Sequence, residues 1–493
     1  MSTKNSGLAR AFRLGGLVDD RASDEVVQEL ARVALAFSDG AFIAAQIDPA
    51  GAGLRRMFSI FYAGLSAALA VEGLPGPRTE PINPSPERRT NMTTETRPAW
   101  QAYETNHPGS EAYLEAVRAI LPGIRARAAS VEDAGRMPEA TVRELDEIGV
   151  FRGLQPRQWG GLELDPATFY ESIVLIGSAC GSAGWVAGVV GVHPWEIGLL
   201  PNEAQRDIWG TDPHTRLSSS YAPTGRAVAV NDGFKISGQW RFSSGVDLCD
   251  WAILGGIPEG ESEADLRAFV VPRADFTVDP DSWRVAGLAG TGSKTINVAE
   301  AFIPGYRSHK LSDVNRGIIP GWEVNDRPLY HMPWMAGIFG YTIAAAAIGA
   351  ATGALDAYLE QTRTRFPAYG GQGMAASPAV QFRLADAIAE VEDCRMRMRR
   401  TWEELYGLAC DGMQLIPAEL QARSRHEAAR AISRCLYAVL SVFEVAGGSV
   451  MSLSNPIQRF LRDLLAMRNH PTASLEATAA TFARSQLNGA GKT

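Results

Sequence analysis

Ala227-Val-Ala-Val-Asn-Asp-Gly-Phe-Lys-Ile-Ser-Gly238 decides the fold class. Short alternating runs flank Asn231-Asp-Gly233, residues that tolerate the positive φ of a tight hairpin turn. The same texture returns in Trp251-Ala-Ile-Leu-Gly255, Ala268-Phe-Val-Val-Pro272 and Thr295-Ile-Asn-Val-Ala299, so residues 216–325 read as a β domain. Upstream, helical periodicity through Ala112–Ala129, Pro138–Ile148 and Ala167–Val190 makes residues 107–215 an N-terminal helical domain. Downstream, Met335–Thr364, Ala379–Leu408, Pro417–Ala446 and Pro456–Met467 read as long helices of a C-terminal bundle over 326–485, with 486–493 as a tail. The fold is therefore α+β, mainly α: a helical domain, a central β-barrel-like domain and a four-helix bundle. Met335–Leu355 approaches the length of a membrane span, but it is rich in Ala and Gly and interrupted by Tyr341, Thr342 and Thr352. It reads instead as the central helix of the bundle.

Residues 1–75 show helical periodicity through Val26–Ala36 and Leu54–Leu69, and the proline-rich residues 76–106 read as a linker. Ala34-Leu-Ala-Phe-Ser-Asp-Gly-Ala-Phe-Ile-Ala-Ala-Gln-Ile-Asp48 resembles the ligand-binding half of TetR-type regulators, without a helix-turn-helix before it. A ligand-sensing fusion through this segment is one alternative to an enzyme. Met92 is the expected native start, which an intact mass including Ser2 to Asn91 would rule out.

The chain of 493 residues is 46% hydrophobic and 21% charged, enough for substantial cores and two to four domains by length. A net charge of -8 without a long basic run argues against nucleic acid or an anionic membrane as partner. The five cysteines, at 180, 249, 394, 410 and 435, form no C-x-x-C or Cys/His cluster, so neither a disulfide framework nor a metal site is expected. The N-terminus lacks a signal-peptide pattern, and the expected location is the cytoplasm.

Four segments carry polar chemistry: Gly191-Val-His-Pro-Trp195, Arg216-Leu-Ser-Ser-Ser-Tyr221, Trp240-Arg-Phe-Ser-Ser-Gly245 and Arg468-Asn-His-Pro471. They offer bases and hydroxyl donors but no nucleophile motif. Order and motifs together resemble the acyl-CoA dehydrogenase fold across residues 107–485. Ser237-Gly-Gln-Trp-Arg-Phe-Ser-Ser-Gly245 is similar to its flavin-side strand, Val285-Ala-Gly-Leu-Ala-Gly-Thr-Gly-Ser-Lys-Thr-Ile296 to its Gly-rich turn, and Ala446-Gly-Gly448 with Arg459-Phe-Leu-Arg-Asp463 to its final helices. Gly287, Gly290 and Gly292 lie among strands and are not a dinucleotide fingerprint.

Within that fold, Leu217-Ser-Ser-Ser-Tyr-Ala-Pro223 and its surroundings resemble the oxygenase components of two-component flavin-dependent aromatic monooxygenases. The secosteroid phenol hydroxylases are the nearer likeness and the 4-hydroxyphenylacetate 3-hydroxylases a more distant one. The dehydrogenases need a carboxylate base, whereas the late position reads Arg468-Asn-His-Pro-Thr472 and the only acid between Asp326 and Glu360 is Asp356.

The resemblance implies ortho-hydroxylation of a bulky phenol by reduced FMN or FAD and O2 through a flavin C4a-hydroperoxide. It also implies a separate flavin reductase and a homotetramer. It makes His470 the candidate base, with His193 and Ser219 orienting the phenol oxygen and Ser244 donating to the flavin, beside Trp240; Arg363 and Arg365 would reach the flavin phosphate of a neighbouring subunit. Each has a rival: helix-end capping for both histidines, a one-residue register slip in each serine run, β-domain core for Trp240, and a solvated helix face for the arginines. His107, His214, His309, His331 and His426 read as surface or packing residues. N- or S-oxygenation on the same scaffold, or acyl-CoA dehydrogenation, are the alternative reactions.

Overall fold

Amphipathic and buried helices alternate at the start of the described chain: α1 (Ser110–Ala134), α2 (Glu139–Ile148), α3 (Pro166–Ala179), α4 (Gly181–Ile197) and α5 (Asn202–Trp209). The computed structural model describes residues 109–333, 337–366 and 373–489, all within the unit Arg97–Thr493. The helical extension with its regulator-like stretch, the linker, Met92 and His107 lie outside the described residues. α3 starts where Asp165 accepts from the Thr168 N–H at 2.9 Å and Pro166 takes the first helical position. The single helix expected over Ala167–Val190 is two, because Cys180 is extended at φ -157° and ψ 118°. Both helices are buried almost all round, so no polar face marks the stop in the sequence.

The β domain holds β1 (Leu217–Ser220), β2 (Arg226–Val230), β3 (Gly233–Ser243), β4 (Trp251–Gly256), β5 (Arg267–Pro272), β6 (Thr277–Asp279), β7 (Lys294–Pro304) and β8 (Ser308–Lys310). They form two four-stranded sheets, ordered β1-β4-β5-β8 and β2-β3-β7-β6. The hairpin turn falls between β2 and β3, with Asp232 at φ 62°. Ala252, Leu254, Phe269 and Val271 point between the sheets. Their neighbours Ile253, Ala268 and Val270, with Leu217, point the other way against Ile208 and Trp209 of α5. The first sheet is thus buried on both faces, and the two-residue period sorts its side chains. On β1, Leu217 faces the helices, while Ser218 accepts from the Ser243 hydroxyl at 3.0 Å and Ser220 donates to the Arg241 carbonyl at 2.7 Å. Ser219 therefore shares the helical face with Leu217.

α6 (Leu311–Asn315) leads to α7 (Phe339–Thr364), α8 (Pro378–Cys410), α9 (Ala418–Phe443), α10 (Pro456–Arg468) and α11 (Leu475–Gly489). α11 joins the four expected bundle helices. α7 is long and apolar enough to cross a membrane, yet its most apolar window is 83% buried inside the protein, so it is a core helix. It packs on α3, α4, α8, α9 and α10. Gly349 lets its backbone meet the Val174 carbonyl of α3, where a Cβ has no room.

The β domain is tied to α10 at one point. The Leu288 N–H donates to Asp463 Oδ1 at 2.6 Å, and Arg459 and Arg462 bind Glu132 of α1. Burial pushes the Asp463 carboxyl up to about 7, against the Leu288 hydrogen bond that favours its charge. A carboxyl raised on folding binds its proton more tightly folded than unfolded, so stability falls as pH rises from the unfolded value near 4 to about 7. Asp463→Asn is expected to flatten that part of the stability–pH curve, as chemical denaturation at several pH values would read; an unchanged slope removes Asp463 as its source.

Candidate functional site

Trp185, Val189 and His193 follow one another at i, i+4 and i+8 on one stripe of α4. Every residue of α4 except Val189 is buried. Eight residues of helix separate Trp185 from His193 by about 12 Å. Two clusters of polar groups therefore stand along one helix, with Val189 between them.

His193 is completely buried, and neither ring nitrogen has a hydrogen-bond partner among the described residues. Its ring centroid lies 6.4 Å from Tyr221 and 5.9 Å from Phe339 at the start of α7. Burial alone pushes the imidazole down to about 3, so the ring is neutral. Ser219 lies two residues before Tyr221, at the buried end of the same strand segment. The Tyr221 O–H donates to Glu196 Oε2, one helical turn beyond His193, and Glu196 Oε1 contacts His309 Nε2 at 2.8 Å.

The second cluster centres on Ser244. Trp185 Nε1 donates to the Ser244 hydroxyl at 3.0 Å, which lies 2.8 Å from that of Ser293; Ser293 lies 2.7 Å from Thr291. The His470 ring meets Trp185 edge to face at 5.5 Å. Burial pushes it down to about 4. His470 Nδ1 accepts from the Thr472 N–H at 3.3 Å, with the Thr472 hydroxyl at 2.8 Å. The neutral ring thus carries its proton on Nε2. In this geometry the other ring nitrogen is a donor, and the side chain caps the short turn Pro471–Ala473.

The other expected cofactor residues lie on separate elements. Trp240 is 1% exposed in the core between the sheets and donates to the Gly255 carbonyl at 2.8 Å, which corrects the ring-stacking reading in favour of its β-core rival. Arg363 is an exposed residue paired with Glu360 at 3.2 Å. Arg365 follows α7, and its guanidinium lies over Gly447 where a Cβ would collide. Phe242, unnoticed in the sequence, has φ 65° and leaves its ring 65% exposed one residue before the serine pair. A non-glycine residue in that conformation stores strain, as functional sites do. The exposed Phe242 ring and the hydroxyls of Ser244, Ser293 and Thr291 fit the apolar faces and polar edge of a flavin.

Of the remaining histidines, His214 pairs with Asp146 at 2.9 Å, His331 packs tilted against Trp322 at 4.4 Å and His426 stacks on Phe482 at 5.8 Å. His309 is the exception to the packing expectation, because it is bonded to a buried acid. Asp356 lies about 25 Å along α7 from Phe339, in a cavity of ≈ 270 Å³ lined by Arg118, Arg125 and Arg395. The carboxylate nearest to His193 along α4 is Glu196, which is held by Tyr221 and His309.

Residues 341–474 match the family model "Acyl-CoA dehydrogenase, C-terminal domain". The chain is 39% identical over 364 residues to the flavin-dependent monooxygenase oxygenase subunit HsaA of Mycobacterium tuberculosis, covering 73% of this chain and 91% of that protein. It is 32% identical over 381 residues to the oxygenase component of an FADH(2)-dependent resorcinol hydroxylase of Rhizobium sp., covering 75% and 93%. The crystal structure of the M. tuberculosis HsaA monooxygenase superposes with a TM-score of 0.72 at 37% identity, over 77% of this chain and 99% of that one.

Proposed function

Because the chain belongs to the oxygenase subunits of the flavin-dependent monooxygenases, on the acyl-CoA dehydrogenase fold, we propose that it ortho-hydroxylates a bulky phenol. The observation that carries this reading is His193, a fully buried imidazole whose two nitrogens have no partner among the described residues and which lies beside two aromatic rings. A buried polar group without a partner costs stability, and a ligand that hydrogen bonds to it offsets that cost. A phenol supplies both the polar oxygen for His193 and Ser219 and an aromatic body for Tyr221 and Phe339. An amine or thioether would leave one of these features unused.

Reduced FMN or FAD, delivered by a separate reductase, supplies with O2 the electrophilic oxygen. Ser244 and Phe242 would hold its ring system, and Arg365 and Arg363 its phosphate. The neutral His470, edge to face with Trp185, would offer its Nε2–H to negative charge on the flavin side. On the substrate side, an imidazole held at about 3 is a poor acceptor for a phenol proton near 10. His193 is better suited to donate its N–H to the phenolate oxygen, which raises electron density at the ortho carbon. The closed surroundings of both clusters keep water away from them.

Assembly follows from the bundle surface, which leaves Phe382, Tyr437 and Leu453 72%, 65% and 77% exposed. Large apolar side chains at that exposure are suited to burial against further copies, and a homotetramer is the proposed state. A cytoplasmic setting fits a diffusible reduced flavin. The test is anaerobic loading with reduced FMN or FAD, followed by oxygenated buffer and a panel of phenols, amines and thiophenes. Catechol formation in step with reduced flavin consumed is the expected result. Oxidation of the amines or thiophenes alone, or turnover of an acyl-CoA with oxidised FAD, would overturn it.

A further inference from the structure

Resting on the phenol reading above, we infer that Glu196 is a positioning residue: anchored by His309, it holds the Tyr221 ring in place as a wall of the phenol pocket. Tyr221 lies just past the end of β1, whose ladder with β4 stops at the pair Ser220 and Leu254. Close approach fixes its main chain instead. Gly255 of β4 leaves room for the Tyr221 carbonyl, which a Cβ at that glycine would overlap. A hydrogen bond fixes the far end of the side chain, from the Tyr221 O–H to Glu196 Oε2. A tyrosine held at both ends cannot change rotamer without giving up one of the two.

A carboxylate bound to Tyr221 alone would move with it. Glu196 is held independently, because its other oxygen lies 2.8 Å from His309 Nε2. The two partners belong to opposite edges of the sheet β1-β4-β5-β8: Tyr221 follows β1, and His309 sits on β8 opposite Ala268. Glu196 is buried on α4, so water does not compete for either oxygen. The bracket secures one corner of the pocket. The Tyr221 ring meets that of Phe339 edge to face, 5.7 Å apart at 87°, and the two rings lie 6.4 and 5.9 Å from His193. A phenol whose oxygen is bound at His193 rests its aromatic body against this corner, so the set of the Tyr221 ring decides where the ortho carbon lies. Misplacement by about 1 Å can cost about a hundredfold in rate. Oxygen that misses the ring is lost as hydrogen peroxide, with the same two electrons taken from reduced flavin. Glu196 and His309 touch neither substrate nor flavin in this reading; they act through Tyr221.

The test is turnover of 4-phenylphenol by the full chain with reduced FMN or FAD, reading catechol and peroxide formed per reduced flavin consumed. Tyr221→Phe, which keeps the ring and removes its tether, is expected to raise the ratio of peroxide to catechol by about tenfold and to raise KM for the phenol. Glu196→Ala is expected to do the same, whereas Glu196→Gln, whose amide oxygen can accept from Tyr221, keeps a ratio close to that of wild type. The double variant Tyr221→Phe/Glu196→Ala is expected to be no worse than Tyr221→Phe, because both changes remove one shared interaction. A bond that served the fold alone would lower Tm and the yield of folded enzyme without moving the ratio. An unchanged ratio in Tyr221→Phe overturns the inference even where Glu196→Ala fails to fold, and additive effects in the double variant overturn it too. In both cases catechol formation by wild type leaves the phenol reading standing. Failure of wild type to hydroxylate 4-phenylphenol or any other phenol of the panel overturns both.

Discussion

His193→Leu is expected to lower the rate of hydroxylation by about 10²–10³-fold while leaving Tm unchanged or higher. Both halves follow from one fact: the imidazole is fully buried and neither nitrogen has a partner among the described residues. Leucine removes an unsatisfied polar group from an aromatic pocket, which favours folding. It also removes the N–H proposed to hold the phenolate oxygen, which is felt only in the reaction. A group that costs stability and serves chemistry is the usual trade at an active site. Product analysis and calorimetry on the same preparation check the pair; full activity in the variant removes His193 from the site. His470→Gln, which keeps an N–H donor, should retain more activity than His470→Ala, whereas a general-base role would make both equally inactive.

Gly287→Ala is expected to destabilise the protein by about 3 kcal/mol and to lower Tm by roughly 5–10 °C. A Cβ there would fall within the radius of the Arg462 carbonyl oxygen of α10, which is backbone and cannot rotate away. The neighbouring Leu288 N–H would be pushed off Asp463, leaving a buried carboxyl short of its donor. The loop and the helix must separate, and the tie between the β domain and the bundle loosens. Gly448→Ala, where nothing lies within reach of the new methyl and φ is not positive, separates this clash from the general effect of replacing glycine by alanine. A similar Tm loss in both variants would discount the close packing as the cause.

The fold was legible because its signals are local. The hairpin at Asn231-Asp-Gly233 sits where the turn residues put it, and the long helices follow their apolar periodicity. Local signals fail where burial is uniform, as at the break between α3 and α4. The candidate site was legible only as residue types. His193, Ser219 and Ser244 stand near aromatic and polar neighbours, and the two-residue period of β1 removes the ambiguity within its serine run. Their partners were hidden, because Tyr221 and His309 meet Glu196 across 25 and 113 positions of sequence. No spacing rule joins a helix to both edges of a sheet. His470 was found by residue type, but its role turns on which nitrogen carries the proton, and that is set by the Thr472 backbone.

Along α4 only Val189 is not fully buried, and it stands midway between the two polar clusters. Position 189 is therefore the place on α4 where a change of side-chain size meets the least enclosed surroundings, and any valine codon reaches alanine, glycine or leucine through a single base change.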